Sequence, residues 1–335
     1  MTATIAVVGA GGWGTALAIL LARKGLRVNL WARRRELVSE LAQRRENKAY
    51  LPGVELPAGI MPVADLETAA RGVDLVVLSV PSHASRLMAR QLRPFLGKGV
   101  IVVNIAKGLE LDTGKRLSEV LTEEGISRVA VLSGPSHAEE VSRGLPTTVV
   151  VAAADRQSAE YVQDIFIDPA FRVYTNPDVV GVEYGGALKN IIALATGIAD
   201  GLGLGDNARA ALMTRGMAEI ARLGVALGGK AMTFAGLSGI GDLIVTCTSM
   251  YSRNRRAGIQ LGKGRALAEV LAGMGMVVEG VRTTAAARDL ARRHQVRMPI
   301  TEEIYQVLYE NKPARECVAA LMERPRTHEV ETGLW

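Results

Sequence analysis

Lys189 and Asn190 lie in an otherwise small and apolar stretch, GGALKNIIALATG (185–197), with no carboxylate one helical turn away. Moving an ammonium group out of water costs several kcal/mol, so lysine rarely enters a core unpaired. Two interpretations are open from this stretch alone. The lysine stem lies over apolar surface with its ammonium group in water, or the lysine lies in a cleft and faces a substrate oxygen.

Three further segments carry polar residues where the ends of predicted strands and helices should converge. Lys107, in NIAKGLE (104–110), directly follows a predicted buried strand. Asp242 lies in a nearly uncharged part of LSGIGDLIVTCTSMYSRNRRAG (237–258). The third segment, LSGPSHAEEV (132–141), contains the candidate residues Ser133, Gly134, Ser136 and, at a predicted helix start, Ala138.

Together these side chains suit the reduction of a ketone by hydride transfer, which places negative charge on the carbonyl oxygen. A lysine can donate the proton if burial and a second cation lower its pKa towards neutrality. We predict that Lys189 is this acid, that Lys107 supplies the second charge and that Asp242 orients Lys189.

An arginine-rich segment follows Ser252, a residue that can cap a helix and direct the helix N-terminus at an anion. We predict that Arg253, Asn254 and this helix start hold a substrate phosphate. The next two residues, Arg255 and Arg256, are interpreted as surface charges.

The string GAGGWG (9–14) places Gly9, Gly11 and Gly14 in the G-x-G-x-x-G spacing, directly after a predicted strand and at the start of a helix. These glycines would permit a tight turn, close approach of the backbone to a pyrophosphate, and helix–strand packing. The helix N-terminus would attract the anion. The alternatives are a tight turn without a ligand and, for Trp13, simple packing instead of a cover over the cofactor.

The end of the second predicted strand, RVNLW (27–31), is expected to select the cofactor. An NAD site usually has Asp or Glu there to bind the ribose 2′-hydroxyl, whereas this strand is followed by Arg33 and Arg34. Two guanidinium groups suit a 2′-phosphate. NADP(H) is therefore the favoured cofactor, with NAD(H) as the alternative, because the arginines could be a solvated helix start and Glu36 could turn inwards.

The first half of the chain alternates strand-like apolar runs with helical patterns, which predicts a doubly wound parallel sheet with crossover helices. The predicted strands cover residues 4–8, 27–31, 74–80, 100–106, 129–134, 147–153 and 171–175. Because parallel strands end at one edge of the sheet, Ser79, Pro81 and Ser82 are expected at the ligand-binding edge.

After about residue 180, helical patterns replace the strand-like runs, at 183–199, 207–227, 265–274, 280–294, 301–310 and 313–323. Asn207 is a predicted cap of the second of these helices. The fold class is thus an α/β N-terminal Rossmann-like doubly wound parallel sheet with an all-helical C-terminal domain. Residues 1–180 would bind the dinucleotide and residues 181–335 would bind substrate and carry catalysis, with a helix packed against both halves at the boundary.

Composition excludes several other classes. The 335 residues are 48% hydrophobic and 22% charged, as in ordinary globular proteins. Cys247, Cys317 and the four histidines show no metal-ligand or disulfide spacing, so no metal site is predicted and a reducing compartment is expected. The N-terminus has no charged leader, and no apolar run approaches the length of a membrane span. We therefore expect a cytoplasmic protein.

The net charge of +6 does not by itself indicate nucleic acid binding. Acidic residues are interspersed among the basic clusters, and no aromatic residues provide a stacking surface. A basic balance equally suits phosphorylated small-molecule ligands, which are the partners we expect.

These motifs occur in order over nearly the whole chain, and they resemble the bacterial NAD(P)-dependent glycerol-3-phosphate dehydrogenases. The segments that carry the resemblance are GAGGWGTALA, NIAKGLE, LSGPSHAEEV, EYGGALKNIIALATGIADGLGLGDNARAALMTRG, GDLIVTCTSMYSRNRR and VVEGVRTT. The resemblance implies reduction of dihydroxyacetone phosphate to sn-glycerol 3-phosphate, at the entry to phospholipid synthesis. It leaves a homodimer open.

At the matching positions the resemblance implies that Lys189 is the proton donor or acceptor. Together with our own analysis of the motifs, the resemblance predicts a set of substrate-binding residues: Lys107, Gly134, Ser136, Lys189, Asn190, Asp242, Thr246, Ser252, Arg253 and Asn254. The cofactor-binding residues are Gly9, Gly11, Gly12, Trp13, Gly14, Arg33, Arg34, Pro81, Lys107, Ala138, Arg253, Val277 and Glu279. Glu279 is unexpected, since a carboxylate must bond hydroxyl or amide groups and not phosphate. His137 and Glu139 depart from the family pattern, in which an aromatic and often a basic residue are expected.

Two other functions compete with this one. Another two-domain dehydrogenase, acting on a 3-hydroxy acid or a sugar acid, would share the glycine turn and a lysine but would not need the cluster at 252–256. A dinucleotide-binding sensor or nucleic-acid regulator would have no reason to keep Lys107, Lys189 and Asp242 in apolar surroundings.

Overall fold

The N-terminal half is built on one eight-stranded sheet with the strand order β10-β9-β8-β7-β6-β1-β2-β5, and β3 pairs with β4 in a separate antiparallel hairpin. The computed structural model describes residues 3–326 and 328–329, so the outermost ends of the two predicted domains lie outside the described residues. The strands are β1 (Thr4–Val8), β2 (Arg27–Trp31), β3 (Glu46–Asn47), β4 (Leu51–Glu55), β5 (Ile60–Val63), β6 (Leu75–Leu78), β7 (Ile101–Asn104), β8 (Val129–Ser133), β9 (Thr147–Ala153) and β10 (Phe171–Asn176).

Helices cover both faces of this sheet because its strands are apolar on both faces. Along β1, Ile5 and Val7 belong to one hydrophobic core, whereas Ala6 and Val8 belong to another, as alternation along a strand requires. The helices of this half are α1 (Gly12–Arg23), α2 (Arg35–Arg44), α3 (Leu66–Ala70), α4 (Ser85–Leu92), α5 (Leu117–Glu123), α6 (Ala138–Val141) and α7 (Arg156–Phe166). The predicted doubly wound arrangement is confirmed.

The sheet differs from the prediction in two respects. Strand β9 runs antiparallel to β8, and β10 is parallel to β9, so the last two strands leave the all-parallel pattern. The connection before β9 contains only the four-residue helix α6, which is too short to serve as a crossover helix. Strand β5 and the β3–β4 hairpin were not predicted, because Pro52 and Pro62 interrupt their apolar pattern.

The C-terminal half is helical within the described residues. Its helices are α8 (Val179–Leu202), α9 (Gly205–Ala226), α10 (Ala231–Phe234), α11 (Asp242–Thr248), α12 (Arg253–Gly262), α13 (Leu267–Met274), α14 (Glu279–Arg293), α15 (Pro299–Tyr309) and α16 (Ala314–Met322), with a π turn over Leu237–Gly241. The prediction that Asn207 caps the second of these helices is wrong, because α9 begins at Gly205. Two glycines with positive φ, Gly203 and Gly205, end α8 and start α9 two residues earlier, because glycine alone adopts this backbone without strain.

Helix α8 connects the two halves. Every residue from Gly181 to Ala199 is buried, and the helix packs against β8 and β9 on one side and against α9, α11, α12 and α14 on the other. Val182 shares a small core with Val131 and Val150 of the sheet. Because Lys189 lies in the middle of this helix, it is held between both halves of the molecule.

Facing glycines bring α8 and α12 unusually close together. A Cβ atom added to Gly197 would lie 2.2 Å from the Arg255 carbonyl oxygen, and one added to Gly258 would lie 2.3 Å from the Leu194 carbonyl oxygen. Gly201 repeats this arrangement one turn further along α8. This close packing places the N-terminus of α12 beside the middle of α8.

One segment, 231–248, has the length and mean hydropathy (1.3) of a membrane span, and 44% of it is buried. This departs from the expectation that no apolar run approaches that length. The segment is divided between α10, the π turn and α11. Its side chains Phe234, Leu243 and Cys247 belong to the core of the helical half.

Candidate active site

A cleft of about 610 Å³ lies between the sheet and the helical half. It opens at the carboxyl ends of the parallel strands, which is the edge where ligands bind in open α/β folds. Most of the predicted site residues line it, namely Gly9, Gly11, Gly12, Trp13, Arg33, Arg34, Pro81, Lys107, Ser136, Ala138, Lys189, Asn190, Asp242, Thr246, Ser252, Arg253, Asn254, Val277 and Glu279. Gly14 and Gly134 are predicted site residues that do not line the cleft.

The glycine turn fits a dinucleotide. Gly9 has φ 118°, and an added Cβ would lie 2.1 Å from the Ser79 carbonyl oxygen. A Cβ on Gly14 would lie 2.1 Å from the Gly9 carbonyl oxygen, so both positions are closed to larger residues. Gly11, by contrast, faces open space and precedes α1 without a side-chain cap. The free amide groups of the helix start therefore face the cleft, as a pyrophosphate site requires.

Arg33 and Arg34 lie at the end of β2, exposed and on the cleft wall. The Arg34 Nη2 atom donates to the Tyr50 hydroxyl group at 3.3 Å. Glu36 lies in the first turn of α2 and is not part of the cleft wall. This end of the cleft therefore presents two guanidinium groups where an NAD site would present a carboxylate.

At the other end of the cleft, one carboxylate bridges two lysines. Lys189 Nζ donates to Asp242 Oδ1 and to Thr246 Oγ1. Asp242 Oδ2 lies 2.8 Å from Lys107 Nζ. Lys107 Nζ also donates to the Gly134 carbonyl oxygen at 2.8 Å. The interpretation of Lys189 as a surface lysine with its head in water is thus wrong, since its side chain is 5% exposed.

The neighbouring charges alter the pKa values of Lys189 and Asp242. Burial, and to a smaller extent the Lys107 ammonium group, lower the pKa of Lys189 to about 8 against the opposing pull of Asp242. Burial alone would raise the pKa of Asp242, but the two ammonium groups hold it below its usual value. Lys189 is therefore an acid that can release its proton close to neutral pH, beside a carboxylate that stays ionised.

A chain of asparagine side chains fixes the surrounding backbone. Asn190 Nδ2 donates to the Lys107 carbonyl oxygen at 3.0 Å, and Asn254 Nδ2 donates to Asn190 Oδ1 at 2.9 Å. Asn254 Oδ1 accepts from the Gly280 backbone N–H at 2.9 Å. One chain of hydrogen bonds thus aligns the end of β7 with α8, α12 and the start of α14.

The N-terminus of α12 is capped as predicted, because the Ser252 side chain accepts from the Arg255 backbone N–H. Arg253 is exposed in the cleft, and its Nη1 atom donates to the Val277 carbonyl oxygen at 2.9 Å.

The prediction that Arg255 is a surface charge is wrong. Arg255 is buried, and its Nε atom donates to Asp200 Oδ2 at 2.8 Å, because the close packing of α12 on α8 encloses it. Arg256 is partly buried and lines the cleft.

Comparison with known proteins identifies the family. The family model described as NAD-dependent glycerol-3-phosphate dehydrogenase N-terminus matches residues 4–159, and the corresponding C-terminus model matches residues 178–319. The chain belongs to the NAD-dependent glycerol-3-phosphate dehydrogenase family. Both halves of the cleft are therefore parts of one family architecture, which joins the glycine turn to the lysine-bearing helix.

The similarity to individual glycerol-3-phosphate dehydrogenases extends over the full length. Glycerol-3-phosphate dehydrogenase [NAD(P)+] of Moorella thermoacetica is 77% identical over 335 residues, which is 100% of both chains. The protein of the same name from Pelotomaculum thermopropionicum is 57% identical over 99% of this chain and 96% of its own. The crystal structure of a glycerol-3-phosphate dehydrogenase from Coxiella burnetii has a TM-score of 0.93 at 40% identity, covering 96% of this chain and 99% of that one.

Glu279, which the resemblance to this dehydrogenase family assigned to the cofactor site, begins α14 at the cleft wall. Its carboxylate accepts from the Ser82 backbone N–H at 3.0 Å and from the Ser82 hydroxyl group at 2.6 Å. It therefore bonds amide and hydroxyl groups, and it links the helical half to the end of β6. The residue pattern alone predicts only that Glu279 lies at the start of a helix.

The cleft wall also contains residues that the sequence analysis did not identify, among them Tyr50, His83, Met88, Tyr251 and Met276. Tyr50 lies beside the unpredicted hairpin.

His137 and Glu139, the two residues that depart from the family pattern, line the cleft as well. Burial and the charges of Lys189 and Lys107 lower the pKa of His137 to about 4, so this histidine is neutral at physiological pH and is not the proton donor.

Within residues 3–326 and 328–329, no group of three His, Cys, Asp or Glu side chains is placed to hold a metal ion. The two cysteines are free and buried. The polar groups around Lys189 are the side chains of Lys107, Asp242, Asn190 and Thr246.

Proposed function

We propose that this protein catalyses the reversible reduction of dihydroxyacetone phosphate to sn-glycerol 3-phosphate with NAD(P)H. The observation that carries the proposal is the buried Lys189–Asp242–Lys107 cluster, located at the reacting end of a dinucleotide-binding cleft in a member of this family. Full-length relatives carry the name of that activity.

In this mechanism Lys189 donates a proton to the carbonyl oxygen of the substrate as negative charge develops there. Asp242 and Thr246 hold the ammonium group in place. Lys107 lowers the pKa of Lys189 and faces the same oxygen. When bound, the nicotinamide cofactor supplies the hydride. In the reverse direction, neutral Lys189 removes the proton from the alcohol.

The phosphate of the substrate would bind at the start of α12. Arg253 presents its guanidinium group to the cleft, and the ten-residue helix α12 directs its N-terminus at the same place. Asn190, Asn254 and Ser136 would bond the remaining substrate oxygens. A non-phosphorylated hydroxy acid would have no use for this arrangement.

The cofactor would lie along the glycine turn, with its pyrophosphate over Gly11 and Gly12. Arg33 and Arg34 would hold a 2′-phosphate, which favours NADP(H) over NAD(H). The nicotinamide half would lie among the remaining predicted cofactor residues, Trp13, Pro81, Ala138, Val277 and Glu279. NAD(H) would still bind, because both cofactors share every contact except the 2′-phosphate.

We further propose that the enzyme works in the cytoplasm, where its product supplies glycerophospholipid synthesis, and that it forms a homodimer. Two free, buried cysteines suit a reducing compartment. Light scattering coupled to gel filtration measures the oligomeric state.

The test is the loss of NADPH absorbance after dihydroxyacetone phosphate is added to purified protein, with unphosphorylated dihydroxyacetone and NADH in parallel. We expect rapid oxidation only with the phosphorylated ketone. Lys189→Ala should abolish turnover and leave NADPH binding nearly intact, whereas the exposed-lysine control Lys98→Ala should change neither. Unchanged turnover in Lys189→Ala would reject its role as the acid.

The cofactor assignment is read from the same assay. Replacing Arg33 and Arg34 together by alanine should raise the KM for NADPH and leave the KM for NADH nearly unchanged, because only NADPH carries the 2′-phosphate. An unaltered ratio of the two KM values would show that these arginines do not bind the 2′-phosphate of the cofactor.

A further inference from the structure

Arg256 lines the cleft, although neither the sequence motifs nor the mechanism gives it a role. It lies on α12 and is partly buried. Its Nε atom is buried without a hydrogen-bond partner, and the side chain forms no ion pair within the described part of the chain. An arginine that loses water without gaining a partner costs free energy. This arrangement is typical of a guanidinium group that binds an anionic ligand.

Arg253 and Arg256 share one face of α12, because they lie three residues apart on the same helix. Both line the cleft. Arg255, which lies between them in the sequence, is directed at Asp200 instead. The cleft side of α12 therefore carries two neighbouring guanidinium groups, which we call the arginine face.

No carboxylate among the described residues forms an ion pair with this arginine face. Loss of hydration in the cleft and the charge of Arg256 lower the pKa of Arg253, while the charges of Glu279 and Glu139 oppose this shift. The Glu279 carboxylate is bonded to Ser82. Glu139 is near enough to act on Arg253 but is not paired with either arginine. A bound anion would offset the repulsion between the two positive charges.

The arginine face lies across the cleft from the glycine turn. A Cβ atom added to Gly12 would lie 3.7 Å from the Cβ atom of Ala138. The next residue, Glu139, is close enough to Arg253 for its charge to act there. Gly12 belongs to the sheet half and α12 to the helical half, and both border the same cleft. A group bound over Gly12 would thus lie between the glycine turn and α12.

The charges of the ligands indicate which group Arg256 binds. Lysines and arginines line the cleft at six positions, which are Arg33, Arg34, Lys107, Lys189, Arg253 and Arg256. In the proposed function the lysines act at the carbonyl oxygen, and three of the arginines bind the 2′-phosphate and the substrate phosphate. The pyrophosphate is left with backbone amide groups alone, since the first turn of α1 contains no basic residue. Arg256 is the remaining cation of the cleft wall.

We propose that Arg256 binds the pyrophosphate of the cofactor from the helical half of the cleft, opposite the amide groups of the glycine turn. The proposal rests on the proposed function, because it takes NAD(P)H as the cofactor, and it adds a cofactor residue to the predicted set. NADH and NADPH share the pyrophosphate, so Arg256 would serve both, unlike Arg33 and Arg34. The substrate phosphate is the other phosphate source in the cleft, and the experiment separates the two.

The test measures cofactor binding directly, by titration calorimetry of purified Arg256→Gln with NADH and with NADPH in the absence of ketone. Loss of a charge-assisted contact should raise the Kd of both cofactors by about tenfold or more, and by the same factor. The KM for dihydroxyacetone phosphate, measured at saturating cofactor, should remain nearly unchanged, because Arg253 and the start of α12 are retained.

Three further variants complete the experiment. Lys263→Ala removes a positive charge from the exposed C-terminal end of the same helix and should change neither Kd. Arg256→Lys keeps the charge but loses the planar fork of donors, so its Kd values should lie between those of the unaltered enzyme and Arg256→Gln. Arg256→Ala replaces Arg256→Gln as the neutral variant if the glutamine enzyme does not fold.

Each source of phosphate predicts a different result. Unchanged Kd values in the neutral variant would overturn the proposal, and a KM for dihydroxyacetone phosphate that alone is raised would assign Arg256 to the substrate phosphate. A rise confined to NADPH would assign it to the 2′-phosphate and would also overturn the proposal. If the unaltered enzyme did not reduce the ketone, the proposed function would fail, and equal rises of both Kd values would still support the pyrophosphate contact.

Discussion

Asp242 does not simply neutralise Lys189, because it also holds Lys107 on its second oxygen. A single lysine–aspartate pair would raise the pKa of the lysine and make it a poor acid. The second ammonium group and burial act in the opposite direction, and the resulting pKa of Lys189 is about 8. The geometry thus sets the acid strength that a reversible ketone reduction needs near neutral pH.

This value predicts the pH dependence of the chemical step. Reduction needs Lys189 in its charged form, so the single-turnover rate of ketone reduction should fall as the pH rises through about 8. Oxidation of the alcohol needs the neutral form, so its rate should rise through the same pH. In Lys107→Gln the second ammonium group is lost, which raises the pKa of Lys189 and shifts both inflections to higher pH. Stopped-flow rates across this range measure the inflections, and a shift to lower pH would contradict the assigned cause.

At the scale of elements, the packing of α12 against α8 positions the residues that we propose bind the substrate phosphate. A Cβ on Gly258 would lie 2.3 Å from the Leu194 carbonyl oxygen and 2.9 Å from the Gly197 Cα atom. Gly258→Ala must therefore push the helices apart, at a cost of about 1–3 kcal/mol in the free energy of unfolding. Because Arg253 and Asn254 start α12, the KM for dihydroxyacetone phosphate should rise as well. Urea unfolding and steady-state kinetics measure the two effects.

Gly273→Ala provides the matched control for this substitution. Gly273 also lies in a helix, α13, but an added Cβ would meet no atom within 4 Å. Alanine there should stabilise the protein by about 0.5–1 kcal/mol through helix propensity and leave the KM unchanged. If both variants lost stability equally, the packing argument for α12 would be wrong.

The elements that the sequence predicts well are those with a strong local pattern. Strands such as β1 and β7 are short apolar runs next to glycine or polar residues, and the long helices of the second half begin and end within a few residues of their predicted limits. Strand β5 and the hairpin around Tyr50 are short and contain prolines that interrupt their apolar pattern, so they depend on pairing with neighbouring strands more than on their own sequence. The antiparallel direction of β9 likewise depends on tertiary contacts.

The same distinction applies to the cleft. Lys107, Lys189 and Asp242 are identifiable in the sequence because charged residues in apolar surroundings are rare, and the structure brings them into contact. The Arg255 pair with Asp200 could not be predicted from a cluster of arginines, because its burial depends on how closely two helices approach. Local chemistry is visible in a sequence, whereas the neighbours that enclose a side chain are not.

At the scale of the whole molecule, a buried carboxylate joins the two halves. Glu183, near the start of α8, accepts from Arg116 Nη1 at 2.8 Å and from the Ser118 backbone N–H at 2.9 Å. Arg116 and Ser118 lie at the start of α5, on the sheet side of the molecule. Because α8 also carries Lys189, this contact fixes the register between that lysine and the sheet edge at which we propose that the cofactor binds.

Glu183→Gln should therefore weaken the whole molecule and the site together. The substitution leaves the Arg116 guanidinium group, 13% exposed, with only the more exposed Glu119 as a charged partner, and loss of one member of a buried ion pair costs up to about 3–5 kcal/mol. We expect a lower free energy of unfolding in urea and higher KM values for both cofactor and ketone. The control is Glu67→Gln, which removes an exposed ion pair with Arg71 and should change stability by less than about 1 kcal/mol. Equal effects of the two substitutions would show that the contact does not hold the halves together, whereas a loss of stability with unchanged KM values would mean that the cleft keeps its register without Glu183.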